Sequence, residues 1–257
     1  MLILLSNDDG VSSEGLQSLR LAFSKTDDVW VVAPESERTC IAHAITLHKP
    51  LRIKDLGDRV FSTNGTPADS VLLALKVVLP RKPDLVISGI NKGPNMGQDV
   101  SYSGTVAAAR EGAFSGAVSI AVSLNGRSAF LFDDAVRSML DIVEKVRAEA
   151  LPPASLLNVN IPNIPYEEIN GLMVTSLGKR IYNGNIIERM DPRGGAYYWI
   201  GGDAEGFEPI PGTDLQAVDL GYVSLTPLHW DLTSYAVLSR FKDVFLGGHD
   251  ENNVIHP

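Results

Sequence analysis

The chain has 257 residues and carries a formal net charge of −9, from 31 acidic and 22 basic residues. That length fits one large α/β domain or two small ones, and it is enough to bury about 70–75% of the unfolded surface. Apolar residues make up 44% and charged residues 21% of the chain, which excludes disorder over most of its length. Because a negative field repels polyanions, we expect no nucleic acid partner, and a small anionic substrate would need a local cation such as a bound metal.

Cysteine usage and the N-terminal segment predict a cytoplasmic protein. The single cysteine, Cys40, cannot form an internal disulfide, so the fold does not require an oxidising compartment. The apolar run over 2–5 is short and has no basic flank, which is typical of a buried strand and not of an export signal. No run approaches the roughly 18 apolar residues of a membrane span, so we expect no membrane partner.

Strand-like and helix-like runs alternate through residues 1–165, the rhythm that βαβ crossovers produce. The first strand is continuously apolar, as expected for a strand that is covered on both faces. We therefore predict an α/β core with a three-layer, mainly parallel sheet. Its strands are predicted at 2–6, 29–33, 85–90, 118–124 and 156–161, and its helices at 13–25, 66–79, 106–113 and 132–150.

The pattern changes after about residue 165. Glycine, proline and aromatic residues become more frequent, and helical periodicity is weak until 234–246. Segments such as 197–200 and 222–225 favour β-hairpins or an extended arm. We predict that 166–246 forms such an arm with a terminal helix, and that 247–257 is a flexible tail.

Four polar side chains follow the predicted strands, at the edge of the sheet where open parallel sheets bind ligands. Asp8 and Asp9 follow the first strand, Thr39 lies in the long polar connection after the second, and Asn91 follows the strand that ends at residue 90. Adjacent carboxylates repel each other unless a cation lies between them, and oxygen donors suit Mg²⁺, Mn²⁺ or Ca²⁺. A capped Asp-Asp-Gly turn and ordinary loop hydrogen bonds explain the same residues without a metal, so the residues alone leave both readings open.

The segment Ser103-Gly104-Thr105 stands at the start of a helix rich in small residues. Free backbone N–H groups and the helix dipole favour a phosphate there, and the glycine-rich loop 91–97, which contains Asn95, would let the backbone approach an anion. Plain helix capping by serine and threonine is the alternative.

Other chemistries find less support in the sequence. The motifs of serine hydrolases, P-loop enzymes, zinc proteases, Cys-x-x-Cys proteins and dinucleotide-binding folds are absent. Cys40 beside His43 is a candidate nucleophile, although a small loop residue is the simpler reading. His229 and Asp231 form a candidate pair for proton transfer, although a structural histidine is commoner.

Several motifs in register resemble the stationary-phase survival protein SurE family over nearly the whole chain. The residues that carry the resemblance are Ser6-Asn7-Asp8-Asp9-Gly10, Val32-Ala33-Pro34, Asn64-Gly65-Thr66-Pro67-Ala68-Asp69, Ser88-Gly89-Ile90-Asn91 with Gly93 and Asn95, Tyr102-Ser103-Gly104-Thr105-Val106-Ala107, Asp191-Pro192-Arg193-Gly194, Pro211-Gly212-Thr213-Asp214 and Thr226-Pro227-Leu228. The resemblance implies a Rossmann-like core and a C-terminal hairpin arm that is exchanged between subunits of a homodimer or homotetramer. It also implies a 5′-nucleotidase, a metal-dependent phosphatase of nucleoside 5′-monophosphates, with 3′-monophosphates and short polyphosphate as further substrates.

Carried over by position, the resemblance makes Asp8, Asp9, Thr39 and Asn91 the ligands of one divalent ion, Mg²⁺ or Mn²⁺. It places Asn95 and the segment 103–105 near the substrate phosphate. The family usually has serine followed by a small residue where this chain has Thr39-Cys40, so the hydroxyl is kept and a methyl is added.

The reaction we expect is attack on phosphorus by a water that the metal activates, with Asp8 and Asp9 as the catalytic residues and Asp8 as the residue that orients or deprotonates the water. A haloacid-dehalogenase-like phosphatase is the nearest alternative, but its motif is Asp-x-Asp and the acids here are adjacent. A nucleotide-binding regulatory subunit without turnover is the alternative from another class.

Overall fold

The computed structural model describes residues 1–149, 151–182, 186–200 and 204–246. The strands over these ranges are β1 (Leu2–Ser6), β2 (Asp28–Pro34), β3 (Ile53–Asp55), β4 (Val60–Thr63), β5 (Leu85–Lys92), β6 (Val118–Asn125), β7 (Leu156–Pro162), β8 (Leu172–Val174), β9 (Arg180–Tyr182), β10 (Ile186–Met190), β11 (Ala196–Ile200), β12 (Ala204–Phe207) and β13 (Val223–Leu228). The α-helices are α1 (Glu14–Phe23), α2 (Pro67–Leu73), α3 (Gly104–Phe114), α4 (Phe132–Ala148), α5 (Asp214–Asp219) and α6 (Tyr235–Leu246).

Nine strands form one mixed sheet in the order β3-β4-β2-β1-β5-β6-β7-β13-β8. The central strands from β4 to β7 are parallel, as the alternation of strands and helices predicts. The predicted α/β fold with a mainly parallel sheet is confirmed. No helix of the described ranges is long and apolar enough to cross a membrane.

The sheet has a helical layer on each face because its central strands are apolar on both faces. In β1, Ile3 and Leu5 pack in a cluster with side chains of α1 and α4, whereas Leu4 packs with side chains of α2 and α3. α1 presents Leu16 and Leu19 to the sheet at helical spacing. The three layers fix the ends of β1, β2 and β5 at one edge of the sheet.

Small residues let α3 lie unusually close to the sheet. A side-chain carbon added at Gly112 would lie 2.7 Å from Ser119 Oγ and 2.8 Å from Val86 Cβ. The same close approach brings the N-terminus of α3 against the turn after β1, where a carbon added at Gly104 would lie 2.9 Å from Asp8 Oδ2. The glycines of this helix therefore serve to place its first turn.

The end of β5 is reshaped by a register shift against β6, between Ser88 and Asn91. Gly89 lies at the shift with φ +141, and a side-chain carbon there would lie only 2.3 Å from the carbonyl oxygen of Val122. Glycine is the residue that fits this close approach, and the shift sets the position of Asn91 at the sheet edge.

The main sheet does not end at residue 165. β13 pairs antiparallel with β7, and β8 pairs parallel with β13, so two later strands extend the sheet. A separate antiparallel hairpin, β10 with β11, has every residue exposed, and β9 pairs with β12 nearby. The division into a core of 1–165 and an arm of 166–246 stays a prediction, and the predicted flexible tail 247–257 lies outside the described residues.

Candidate functional site

The turn after β1 holds two carboxylates at the edge of the sheet. Asn7 closes this turn, because its side chain donates to Gly10 O at 3.0 Å and accepts from Gly10 N at 3.2 Å. Asp8 is buried, and its Oδ1 accepts a hydrogen bond of 2.5 Å from Thr105 Oγ1 in the first turn of α3. Thr105, in the segment 103–105 that the sequence analysis expects near the phosphate, thus contacts this turn directly.

The electrostatics of the turn favour a cation. The pKa of Asp8 is raised to about 6, mainly by burial and also by repulsion from Asp9, while the hydrogen bond from Thr105 opposes the rise. Burial also raises the pKa of Asp9, and the charge of Glu37 adds to that rise against the backbone and charge of Lys92. Both ionised carboxylates are therefore held at a cost in free energy, which a divalent ion beside them would offset.

Asn91 and Thr39 flank the same turn. Lys92 N, next to Asn91, donates to Asp9 Oδ2 at 3.3 Å, so the end of β5 is in contact with the acidic turn. Asn91 Nδ2 donates to Gly93 O at 2.8 Å, which leaves its Oδ1 as the free donor atom for a cation. Thr39 is exposed, and its hydroxyl donates to the carboxylate of Glu37.

The first turn of α3 combines capping with free backbone donors. Ser103 caps the helix, because its Oγ accepts a hydrogen bond from Val106 N at 3.1 Å. For this side chain, the helix capping that the sequence analysis gave as the alternative is therefore present. Among the described residues, none accepts a hydrogen bond from the N–H of Gly104. The first turn of α3, which contacts the acidic turn through Thr105, therefore offers a backbone donor and the positive end of a helix dipole, both of which suit an anion.

Asn95 is buried and belongs to a polar network that anchors the glycine-rich loop. Its backbone N donates to Asn160 Oδ1 at 2.9 Å, and its Nδ2 donates to Ser123 Oγ at 2.8 Å. Its carbonyl oxygen accepts from Asn158 and from Asn160. Contact between Asn95 and the phosphate stays a prediction, because these bonds engage its side-chain nitrogen within the protein.

Sequence reasoning missed the asparagines of β7. Asn158 and Asn160 are fully buried in a strand that is otherwise apolar, and both face the loop that carries Asn95. The signal was available, since two polar residues spaced by two in a buried strand share one face and must find partners.

Neither alternative histidine pair forms. His43 Nε2 lies 3.0 Å from Glu111 Oε2 and its ring stacks on Phe114, while Cys40 is exposed. His229 Nδ1 accepts from the backbone of Asp231 at 3.1 Å, whereas the carboxylate of Asp231 bonds Thr233 and Tyr235. The acidic turn with α3 remains the candidate site.

Comparison with known proteins identifies the family of the chain. The sequence model of the family described as "Survival protein SurE" matches residues 3–184. The chain is 48% identical over 243 residues to "5'-nucleotidase SurE" of Citrifermentans bemidjiense, covering 94% of this chain and 98% of that protein. A protein of the same name from Geobacter metallireducens is 48% identical over 246 residues, covering 94% and 96%. The "Crystal Structure of Sure Protein from Aquifex aeolicus" matches with a TM-score of 0.86 and 44% identity, covering 95% of this chain and 99% of that one.

Proposed function

The chain belongs to the survival protein SurE family, and from that premise we infer that it is a 5′-nucleotidase, a metal-dependent phosphatase that converts a nucleoside 5′-monophosphate to nucleoside and phosphate. The observation that carries the inference is the contact between a buried carboxylate, Asp8, and the N-terminal turn of α3. A carboxylate, which is a common ligand of divalent ions, therefore lies beside a helix N-terminus, which is a common binding site for phosphate.

The residues around the turn fit a divalent cation. Asp8 and Asp9 offer carboxylate oxygens, and burial disfavours the ionised form of both groups unless a cation is near. Asn91 offers an amide oxygen and Thr39 a hydroxyl oxygen. This set of oxygen donors suits Mg²⁺ or Mn²⁺. We propose that these four residues hold one such ion, which when bound would screen the phosphate charge and lower the pKa of a nearby water.

The protein itself supplies orientation and a proton acceptor. Oδ1 of Asp8 already accepts the hydrogen bond from Thr105, so we propose that Asp8 orients the attacking water and takes its proton through Oδ2. The Gly104 N–H donates to a phosphate oxygen and, with the dipole of α3, stabilises the negative charge. A new oxygen–phosphorus bond forms as the ester bond breaks, and the nucleoside oxygen leaves with a proton taken from solvent water, while Asp8 holds the proton of the attacking water and later returns it to solvent.

The site favours substrates with one phosphoryl group. Its single short anion cradle lies in an acidic protein, so each extra phosphate of a triphosphate is opposed by the field of the chain. We propose 5′-monophosphates as the main substrates, with 3′-monophosphates as further ones and short polyphosphate as a slow substrate because of its extra charges.

Phosphate release tests this assignment. The rates with AMP, 3′-AMP, ATP and tripolyphosphate are compared at equal concentration, with EDTA and with Mg²⁺ or Mn²⁺ added back. We expect AMP to be hydrolysed only when a divalent ion is present, and ATP to react at least about tenfold more slowly, because opposition of about 1.4 kcal/mol already gives that factor. Faster turnover of ATP, or rates that EDTA leaves unchanged, would contradict the assignment.

The exposed hairpin supports a proposal about assembly. Tyr198, Trp199 and Ile200 of β11 are 60%, 64% and 93% exposed, and exposed apolar groups of this size usually mark interfaces. We propose that the arm of 166–246 is exchanged between subunits of a homodimer or homotetramer.

A further inference from the structure

The hydroxyl of Thr39 has a partner that the proposed metal site does not include. Thr39 Oγ1 donates its proton to the carboxylate of Glu37, two residues earlier in the loop after β2. Both side chains are exposed, so neither is held in place by core packing. The hydrogen bond is therefore what fixes the direction of the Thr39 hydroxyl.

The backbone of the loop lies directly on the acidic turn. Arg38, between the two residues, donates its N–H to Asp8 O at 2.7 Å. A side-chain carbon added at Gly10 would lie 3.3 Å from the carbonyl carbon of Ser36, so the loop also packs on the end of the turn. The pKa of the Asp9 carboxyl is raised mainly by burial, and Glu37 is near enough for its charge to add to this rise. The pair Glu37–Thr39 thus borders the acidic turn, with the charge of Glu37 felt by the carboxylate of Asp9.

A hydroxyl has one proton and two acceptor lone pairs, so the direction of its proton decides what its oxygen can bind. Because the Thr39 O–H donates its hydrogen bond to Glu37, the lone pairs of the hydroxyl oxygen are left for a cation. A carboxylate that accepts the proton also makes the hydroxyl oxygen a better electron donor, in the way that carboxylates support metal-bound histidines. The β-branched side chain of Thr39 adds to this control, because its χ1 angle has fewer accessible values than that of serine.

We propose that Glu37 is a positioning residue. It accepts the hydrogen bond of the Thr39 hydroxyl and so turns the lone pairs of that oxygen toward the divalent cation. This inference rests on the metal site proposed above. It gives Glu37 a role through Thr39, without direct contact between Glu37 and the cation.

The test measures the dissociation constant of Mn²⁺ by electron paramagnetic resonance of the free ion, without substrate. Glu37→Ala should weaken binding by about 10- to 100-fold, the range typical for loss of a group that orients a metal ligand. Glu37→Gln should bind nearly as the parent protein does, because the amide oxygen can accept the same proton. Glu35→Ala is the matched control, since Glu35 is exposed at the start of the same loop and its carboxylate bonds no described residue.

A double-mutant cycle with Thr39→Val separates positioning from direct attraction. If Glu37 acts through the hydroxyl, Glu37→Ala should have no further effect in the Thr39→Val protein. An equal weakening in both backgrounds would overturn the inference, because Glu37 would then attract or bind the cation itself. Equal weakening by Glu37→Gln and Glu37→Ala would overturn it too, because charge alone would explain the effect.

Asp9→Asn distinguishes failure of this inference from failure of the metal site. Lost binding in Asp9→Asn together with unchanged binding in Glu37→Ala would reject the role of Glu37 and leave the site in place. Unchanged binding in Asp9→Asn would reject the site and the inference with it.

Discussion

At the scale of single residues, the site is built from groups that stabilise the fold poorly by themselves. Asp8 is buried and its pKa is raised to about 6, from the ordinary value of 3.8. The folded protein therefore favours the neutral carboxyl, and ionising Asp8 without a cation lowers the free energy of unfolding. Stability is given up here for the chemistry of the site.

This cost predicts how metal-free stability depends on pH. Asp8 contributes almost no penalty below about pH 3, where it is protonated in both states, and the penalty grows to its full size as the pH passes about 6. Two pKa units correspond to about 3 kcal/mol. In EDTA, Asp8→Asn should therefore be more stable than the parent protein at pH 7.5 by up to that amount, and nearly equal to it at about pH 3. Thermal unfolding at the two pH values checks this, and a difference that is the same at both would contradict it.

The sequence predicted the acidic residues of the site better than their partners. Asp8 and Asp9 stand where a buried strand ends, so the strand pattern alone places them at the sheet edge. Glu37 and Asn160 were not predicted as partners. The contact of Glu37 depends on loop conformation and that of Asn160 on a loop 65 residues away, and neither leaves a periodic signal in the sequence.

At the scale of elements, the close packing of strand and helix ends sets the geometry of the site. Gly89 lies at the register shift that directs Asn91 to the sheet edge. The helices and strands of residues 1–165 were predictable because their apolar residues recur at regular spacing. The short strands β3 and β4 and the return of β13 to the sheet were not, since strands of three or four residues show little periodicity and long-range pairing shows none.

Gly89→Ala tests the role of this element. The added carbon would lie 2.3 Å from Val122 O, so β5 and β6 must separate, and we expect a loss of about 3 kcal/mol in the free energy of unfolding. Gly57→Ala is the matched control, because Gly57 also has a positive φ, of +86, but has nothing within 4 Å of the added carbon. Denaturant unfolding of both variants gives the comparison. Equal losses would mean that backbone conformation, and not the close approach to β6, explains the need for glycine at position 89.

At the scale of the whole molecule, the arm of 166–246 exposes apolar side chains of β11 that no packing within the described chain covers. Light scattering at micromolar concentration should give the mass of a dimer or tetramer. Changing Trp199 and Ile200 to serine should reduce that mass, because it removes exposed apolar surface from β11 while leaving its backbone pairing with β10. A stable monomer of the parent protein would contradict the proposed exchange of the arm.

The central claim is that Asp8 and Asp9 hold the divalent ion that drives phosphate release. The most direct measurement is kcat for AMP of Asp9→Asn at saturating Mn²⁺, with Asp58→Asn as control because the side chain of Asp58 is 93% exposed. The account predicts a loss of about 100-fold or more for Asp9→Asn, since several kcal/mol of charge stabilisation are withdrawn, and parent-like turnover for Asp58→Asn. Turnover of Asp9→Asn equal to that of the parent protein would contradict it.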